Sequence, residues 1–152
     1  MDIRQDDPSA PHVAELLAHH LQEVQRVMGE YAFALDASGL SRLDVTFWTA
    51  WQSDTLVGFG ALKRLGDTHG EVKSMRVAPA ARGTGVGRAM LDHIVTEARK
   101  RGYARLSLEA GTAAMHVAAI ALYRSAGFIS CSAFADYRPS PHNQFLTLDL
   151  SV

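Results

Sequence analysis

Apolar residues along the chain switch between two spacings, three-to-four and two, and the switches mark its elements. Val13, Leu16, Leu17, Leu21, Val24, Val27 and Met28 predict a helix with one buried face. Asp6 to Pro11 supplies turn residues before it, with Ser9 as its expected N-cap, and Asp2 to Gln5 suits a short first strand. Gly29 to Leu43 breaks the pattern and reads as a loop or a short second helix. Val45 to Trp51, dense in β-branched and aromatic residues, and Thr55 to Leu65 flank a polar turn and predict a hairpin, with Trp48 and Trp51 on opposite faces. In the next strand, His69 to Val77, alternation puts His69, Glu71, Lys73, Met75 and Val77 on one side and Val72, Ser74 and Arg76 on the other. Helical spacing returns from about Gly85 to Arg101, with Gly102 as its C-terminal cap. A strand over Arg105 to Glu109, a helix over Met115 to Ala126, and strands over Phe128 to Phe134 and Phe145 to Leu150 complete the pattern.

A strand, a helix and a second strand in succession call for a right-handed crossover and a parallel pair within an otherwise hairpin-built sheet. The expectation is an α/β fold: one domain over residues 1–152, long enough to bury its own core without a staple. Fifteen basic against sixteen acidic residues leave a net charge of −1, which gives no reason to expect a nucleic-acid or membrane-surface partner. Cys131 is the single cysteine, so an internal disulfide and a cysteine metal cluster are excluded, and the scattered histidines suggest no metal site. An acidic N-terminal stretch without an apolar run makes a cytoplasmic location the expectation.

The chemistry concentrates in MRVAPAARGTGVGR, Met75 to Arg88. Glycines at 83, 85 and 87 crowd a helix start, where first-turn amides have no partner inside the helix and can face a ligand closely. Such a place suits phosphate oxygens. The string lacks the lysine of a P-loop and the third glycine of a dinucleotide fingerprint.

What remains, Arg82-x-x-Gly85-x-Gly87, together with ALYRSAGF from Ala121 to Phe128, resembles the two signature segments of the GNAT superfamily of acyl-CoA N-acyltransferases. The resemblance implies a single-domain, mixed, mostly antiparallel sheet with helices on both faces and a splayed central strand pair. It further implies that backbone amides of Arg82, Gly83, Thr84, Gly85, Val86 and Gly87 hold the pyrophosphate of acetyl-CoA, with Arg82 and Arg88 adding attraction. The strand end Met75-Arg76-Val77 would run beside the pantetheine arm, pairing through the backbone at Met75 and Val77. His116 stands where many members have a pantetheine-contacting Asn.

Acyl transfer to an amine needs a base for the amine and an acid for the leaving thiolate. By resemblance Glu71 is the expected base, with Glu109 on the neighbouring strand as the alternative, and Tyr123 the expected acid. Tyr31, Phe33 and Asp36 in the variable segment, and Arg76, Asp136, Arg138 and His142, are candidates to meet the acceptor. An arginine fork suits a carboxylate, so a small amine bearing an acid is one expectation. The function implied is direct transfer of acetyl from acetyl-CoA to a small primary amine in a ternary complex. A peptide acetyltransferase and a CoA-binding sensor without turnover are the alternatives, and homodimers are common in the superfamily.

Overall fold

Seven strands of the computed structural model, which describes residues 1–151, form one sheet in the order β1-β2-β3-β4-β5-β7-β6. They are β1 (Asp2–Gln5), β2 (Val45–Gln52), β3 (Thr55–Arg64), β4 (His69–Val77), β5 (Arg105–Gly111), β6 (Ile129–Ser130) and β7 (Asn143–Asp149). Only β4 and β5 run parallel, as the crossover through the intervening helix requires. The expected strand over Phe128 to Phe134 shrinks to Ile129–Ser130, because beyond it the chain leaves the sheet edge and Ala135 turns with a φ of 50°.

Helices cover both faces. On one lie α1 (Pro11–Met28) and the short α2 (Ala37–Leu40), whose Val13, Leu17 and Leu40 pack on Phe47, Phe59 and Ala61. On the other lie α3 (Val86–Lys100) and α4 (Val117–Ser125), where Met90, Leu91, Ile94 and Ala98 meet Trp48, Leu62, Val72, Leu106 and Leu146. Leu91 and Ile94 are fully enclosed, each worth roughly 1.5–3 kcal/mol of burial, so the α3 face anchors the sheet. The expected N-cap at Ser9 is not made. Ala10 holds that position without a side-chain bond, and the Ser9 amide donates to Asp7 Oδ1 at 2.8 Å, which makes Asp7 the turn-former. Pro11 then starts α1 at a position where no amide hydrogen is needed.

Two irregularities shape the centre of the sheet. Ala61 pairs with Lys73 and Phe59 with Arg76, so Ser74 and Met75 together oppose Gly60. This is a β-bulge, with Ser74 in the left-handed region at φ 54°. An extra residue reverses the alternation beyond it. Glu71, Lys73 and Arg76 therefore share the α1 face, while Met75 and Val77 pack with Val72 into the α3 core. The strict period-two assignment, which grouped Met75 and Val77 with Glu71, is thus corrected. The second irregularity is a parting of strands. Pairing of β4 with β5 is confined to His69 with Arg105, Gly70 with Leu106 and Glu71 with Ser107, after which the two diverge to their ends at Val77 and Gly111.

Candidate active site

At the α3 side of this gap stands the glycine loop. Gly83 and Gly85 have φ of 75° and 91°, conformations costly for any side-chain-bearing residue, and the space above each is open. Gly85 is the N-cap of α3, and among the described residues no side chain caps the helix start. The Thr84 hydroxyl turns back to the Ala81 carbonyl and leaves the amides clear. Arg82 and Arg88 are both exposed; Arg88 bonds to Asp92 at 3.1 Å and Ser125 at 3.3 Å. Leu122 of α4 meets both the loop, at Gly87, and through it the end of β4, where Val77 packs beside the same glycine. Tyr123, next along α4, is enclosed against Phe128, and burial pushes its phenol pKa well above the ordinary value.

The α1 side of the gap is polar. Glu71, 1% exposed, marks the point of divergence. The Tyr137 hydroxyl donates to Glu71 Oε2 at 2.5 Å and accepts from Lys73 Nζ at 2.5 Å, while Lys73 Nζ lies 3.4 Å from the same carboxylate oxygen and also donates to the Phe33 carbonyl at 3.3 Å. A charged pair this deep is tolerable because both members are also hydrogen-bonded, each to the Tyr137 hydroxyl and Lys73 further to the Phe33 carbonyl. Burial, and then the adjacent Glu71 charge, drive the Tyr137 phenol upward in pKa, so it stays a donor. Behind Glu71, Ser107 Oγ binds His69 Nε2 at 2.7 Å and Thr147 Oγ1 at 3.0 Å.

Glu109 sits two residues further along β5, past the divergence. It is partly buried, and desolvation raises its pKa above the usual carboxylate range despite the amide of Asn143 donating to it. Asn143 Nδ2 also donates to the Tyr31 carbonyl at 3.3 Å. The bonds to Phe33 and Tyr31 carry the segment after α1 across the gap from β4 to β7, as a roof.

Nearer the open end, Arg76 makes a two-pronged bond to Glu23 of α1, at 3.2 and 2.8 Å. The guanidinium holds the Glu23 carboxyl below its usual range. Arg76 Nε has no partner among the described residues; nor have either ring nitrogen of His20, the Ser74 hydroxyl or His116 Nε2, and all of these atoms are buried. His116 lies against Gly111 and Met28, where even a methyl group on the glycine would not fit. Burial, followed by Arg76, lowers the His20 pKa to about 4, so its ring is neutral at ordinary pH.

The gap thus brings together Glu71, Glu109, Arg76, His116 and Tyr31, with Met75 and Val77 on its other side. Asp36 is not among them: it caps α2, accepting from the Gly39 amide at 2.8 Å, because a short helix start needs that oxygen. Arg76 is committed to Glu23 and offers no free fork to an acid. Arg138 and Asp136 are exposed. Sequence reasoning missed Tyr137 as a partner of Glu71, along with Glu23 and Asn143. Only the aromatic in the Asp136 to Pro139 turn was a signal for the first.

A sequence profile of the Acetyltransferase (GNAT) family matches residues 7–128. The chain is 46% identical to an uncharacterized N-acetyltransferase, YedL, of Escherichia coli K12, over 97% of this chain and 94% of that one. It is 43% identical to another, YsnE, of Bacillus subtilis 168, over 99% and 100%. The crystal structure of a Klebsiella pneumoniae protein assigned as an acyl-CoA N-acyltransferase superposes with a TM-score of 0.79 at 28% identity, covering 98% of this chain and 97% of that one. With the parted parallel pair and the uncapped glycine-lined helix start, these matches lead to one conclusion: the chain belongs to the GNAT acetyltransferase family and is an acetyl-CoA-dependent N-acyltransferase.

Proposed function

We propose that the protein moves acetyl from acetyl-CoA directly to the primary amine of a small molecule, with Glu109 as the proton acceptor. The observation that carries this is the divergence of β4 from β5 immediately after Glu71 and Ser107. It leaves a slot with unpaired helix amides at the α3 side and a carboxylate at the α1 side. The amides from Arg82 to Gly87 hold the pyrophosphate, and the backbone at Met75 and Val77 runs beside the pantetheine arm.

Glu109 suits the base role better than Glu71. Glu71 is enclosed and held by Lys73 and Tyr137, so its part is to fix the Tyr137 loop over the site. Glu109, past the divergence, is less enclosed than Glu71, and its raised pKa makes it a more willing proton acceptor from an ammonium group. Tyr123, kept neutral by burial on the opposite face of the sheet, donates to the departing thiolate. The bonds that tie Tyr31 and Phe33 across the acceptor side favour a small molecule over a peptide chain.

The test follows free-thiol release from acetyl-CoA with a panel of primary amines and a short peptide. Turnover with a small amine, and a fall of roughly 10²–10⁴-fold in kcat for Glu109→Gln, is the expected result. An equally active Glu109→Gln with a dead Glu71→Gln returns the base role to Glu71. Binding of CoA without release on any amine supports a sensor instead.

A further inference from the structure

The side chains around the acceptor end of the slot are unusual in two respects, and together they narrow the acceptor. The first is charge. Arg76 is neutralised by Glu23, and Lys73 by Glu71. Glu109 is left with only the neutral amide of Asn143 bonded to it, so the acceptor end holds one carboxylate in excess and no uncommitted cation among the groups bonded across it. Asn143 and Lys73 also hold two main-chain carbonyls there, those of Tyr31 and Phe33. Carbonyls and a carboxylate welcome one ammonium group. They offer nothing to a substrate carboxylate and no second anion for a diamine.

The second is the panel of rings. Tyr31 stacks on His142 with centroids 4.3 Å apart and an interplanar angle of 27°. Phe33 meets Tyr137 edge-on at 5.2 Å, and Tyr137 continues to Phe134 at 5.2 Å and Phe145 at 5.7 Å. These rings come from the roof, from the β6–β7 loop and from β7, three segments remote in sequence that converge beside Glu71, Lys73 and Glu109. Interior rings need no ligand to explain them, but Phe33 is 39% exposed and Tyr31 partly so. Phe33 therefore leaves part of an apolar ring open at the edge of a charged site, where a ligand could cover it.

We infer that the acceptor is a singly charged primary amine carried on a flat or aromatic apolar body, its ammonium set toward Glu109 and the two carbonyls and its body laid against Tyr31 and Phe33. This rests on the acetyl-transfer reading above and adds the class of substrate to it. Diamines and amino acids are disfavoured because each would set a second charge against apolar rings with no partner, and a site built for one set of polar groups rejects a mismatch strongly.

The experiment compares kcat/KM by thiol release for phenethylamine, butylamine, putrescine and phenylalanine at saturating acetyl-CoA, with CoA affinity measured separately by calorimetry. Phenethylamine is expected to exceed putrescine and phenylalanine by about 100-fold and butylamine by about tenfold. Phe33→Leu and Tyr31→Leu should each shrink the phenethylamine-to-butylamine ratio to about threefold or less by raising KM, with CoA affinity unchanged. Putrescine or phenylalanine turned over as well as phenethylamine overturns the substrate class and leaves acetyl transfer standing. Release with none of the amines, while CoA binds, overturns the acetyl-transfer reading and this inference with it. Ratios that both leucine variants leave untouched overturn the role of the ring panel.

Discussion

His20 offers the most quantitative check on the packing beside the slot. Its ring lies edge-on to Phe59, 5.6 Å between centroids, with both nitrogens buried and unpartnered, and its pKa falls to about 4 against an ordinary 6.5. Below pH 6.5 the unfolded chain takes up a proton that the folded chain refuses until about pH 4. Unfolding therefore becomes easier as pH falls through that window, and the loss is complete near its lower end. A displacement of this size corresponds to about 3 kcal/mol. The perturbation is His20→Leu, which keeps an apolar side chain of similar bulk against Phe59 and removes the titration. At pH 7.5 it should change stability by less than about 1 kcal/mol, since the lost nitrogens made no bonds. Urea unfolding followed by tryptophan fluorescence at pH 7.5, 6, 5 and 4.5 gives the comparison. The natural protein should lose about 2.5 kcal/mol more than the variant across the series. The contributions of His69 and His93, whose pKa values burial also lowers, cancel between the two proteins. Parallel declines in both would refute the picture of an uncharged, enclosed imidazole.

Three further outcomes are expected. Gly85→Val places a branched side chain at φ 91°, which should cost about 1–2 kcal/mol in thermal unfolding and weaken CoA at least about tenfold in calorimetry; unchanged affinity would remove the glycine loop from the binding site. Tyr137→Phe deprives Glu71 of a donor and Lys73 of an acceptor, with an expected loss of about 1–3 kcal/mol in urea, and a neutral result would show that the loop is not held by this bond. Glu23→Ala strands the Arg76 guanidinium, 7% exposed, without its counter-charge, so a destabilisation of about 3 kcal/mol should appear in the same assay; Arg76→Met in the Glu23→Ala background should recover most of it.

Much of this architecture is readable from residue order. The bounds of β1 and β4 fall where alternation puts them, α3 lies within one residue of its predicted ends, and the glycine string announces an uncapped helix start. What resists reading is anything decided by a partner far along the chain. Ser74 carries no mark of a left-handed conformation, yet its bulge decides that Arg76 rather than Met75 meets α1. The Arg76 to Glu23 bond spans 53 residues and the Tyr137 to Glu71 bond 66. Local pattern holds no trace of either. Asp36 shows the converse: a polar residue in a loop reads as a ligand contact, and the helix after it claims the oxygen. Phe128 to Phe134 has strand-like composition, but a sheet edge with one neighbour sustains only the two residues that pair with β7.

The three-pair junction between β4 and β5 is also a seam. It divides the sheet into a four-strand half and a three-strand half, each stitched internally by long antiparallel ladders. Bending should concentrate along that line and not within either half. A molecule lodged there acts as a splint, so amide hydrogen exchange beyond Val72 and Leu108 should slow on both sides together when the cosubstrate binds.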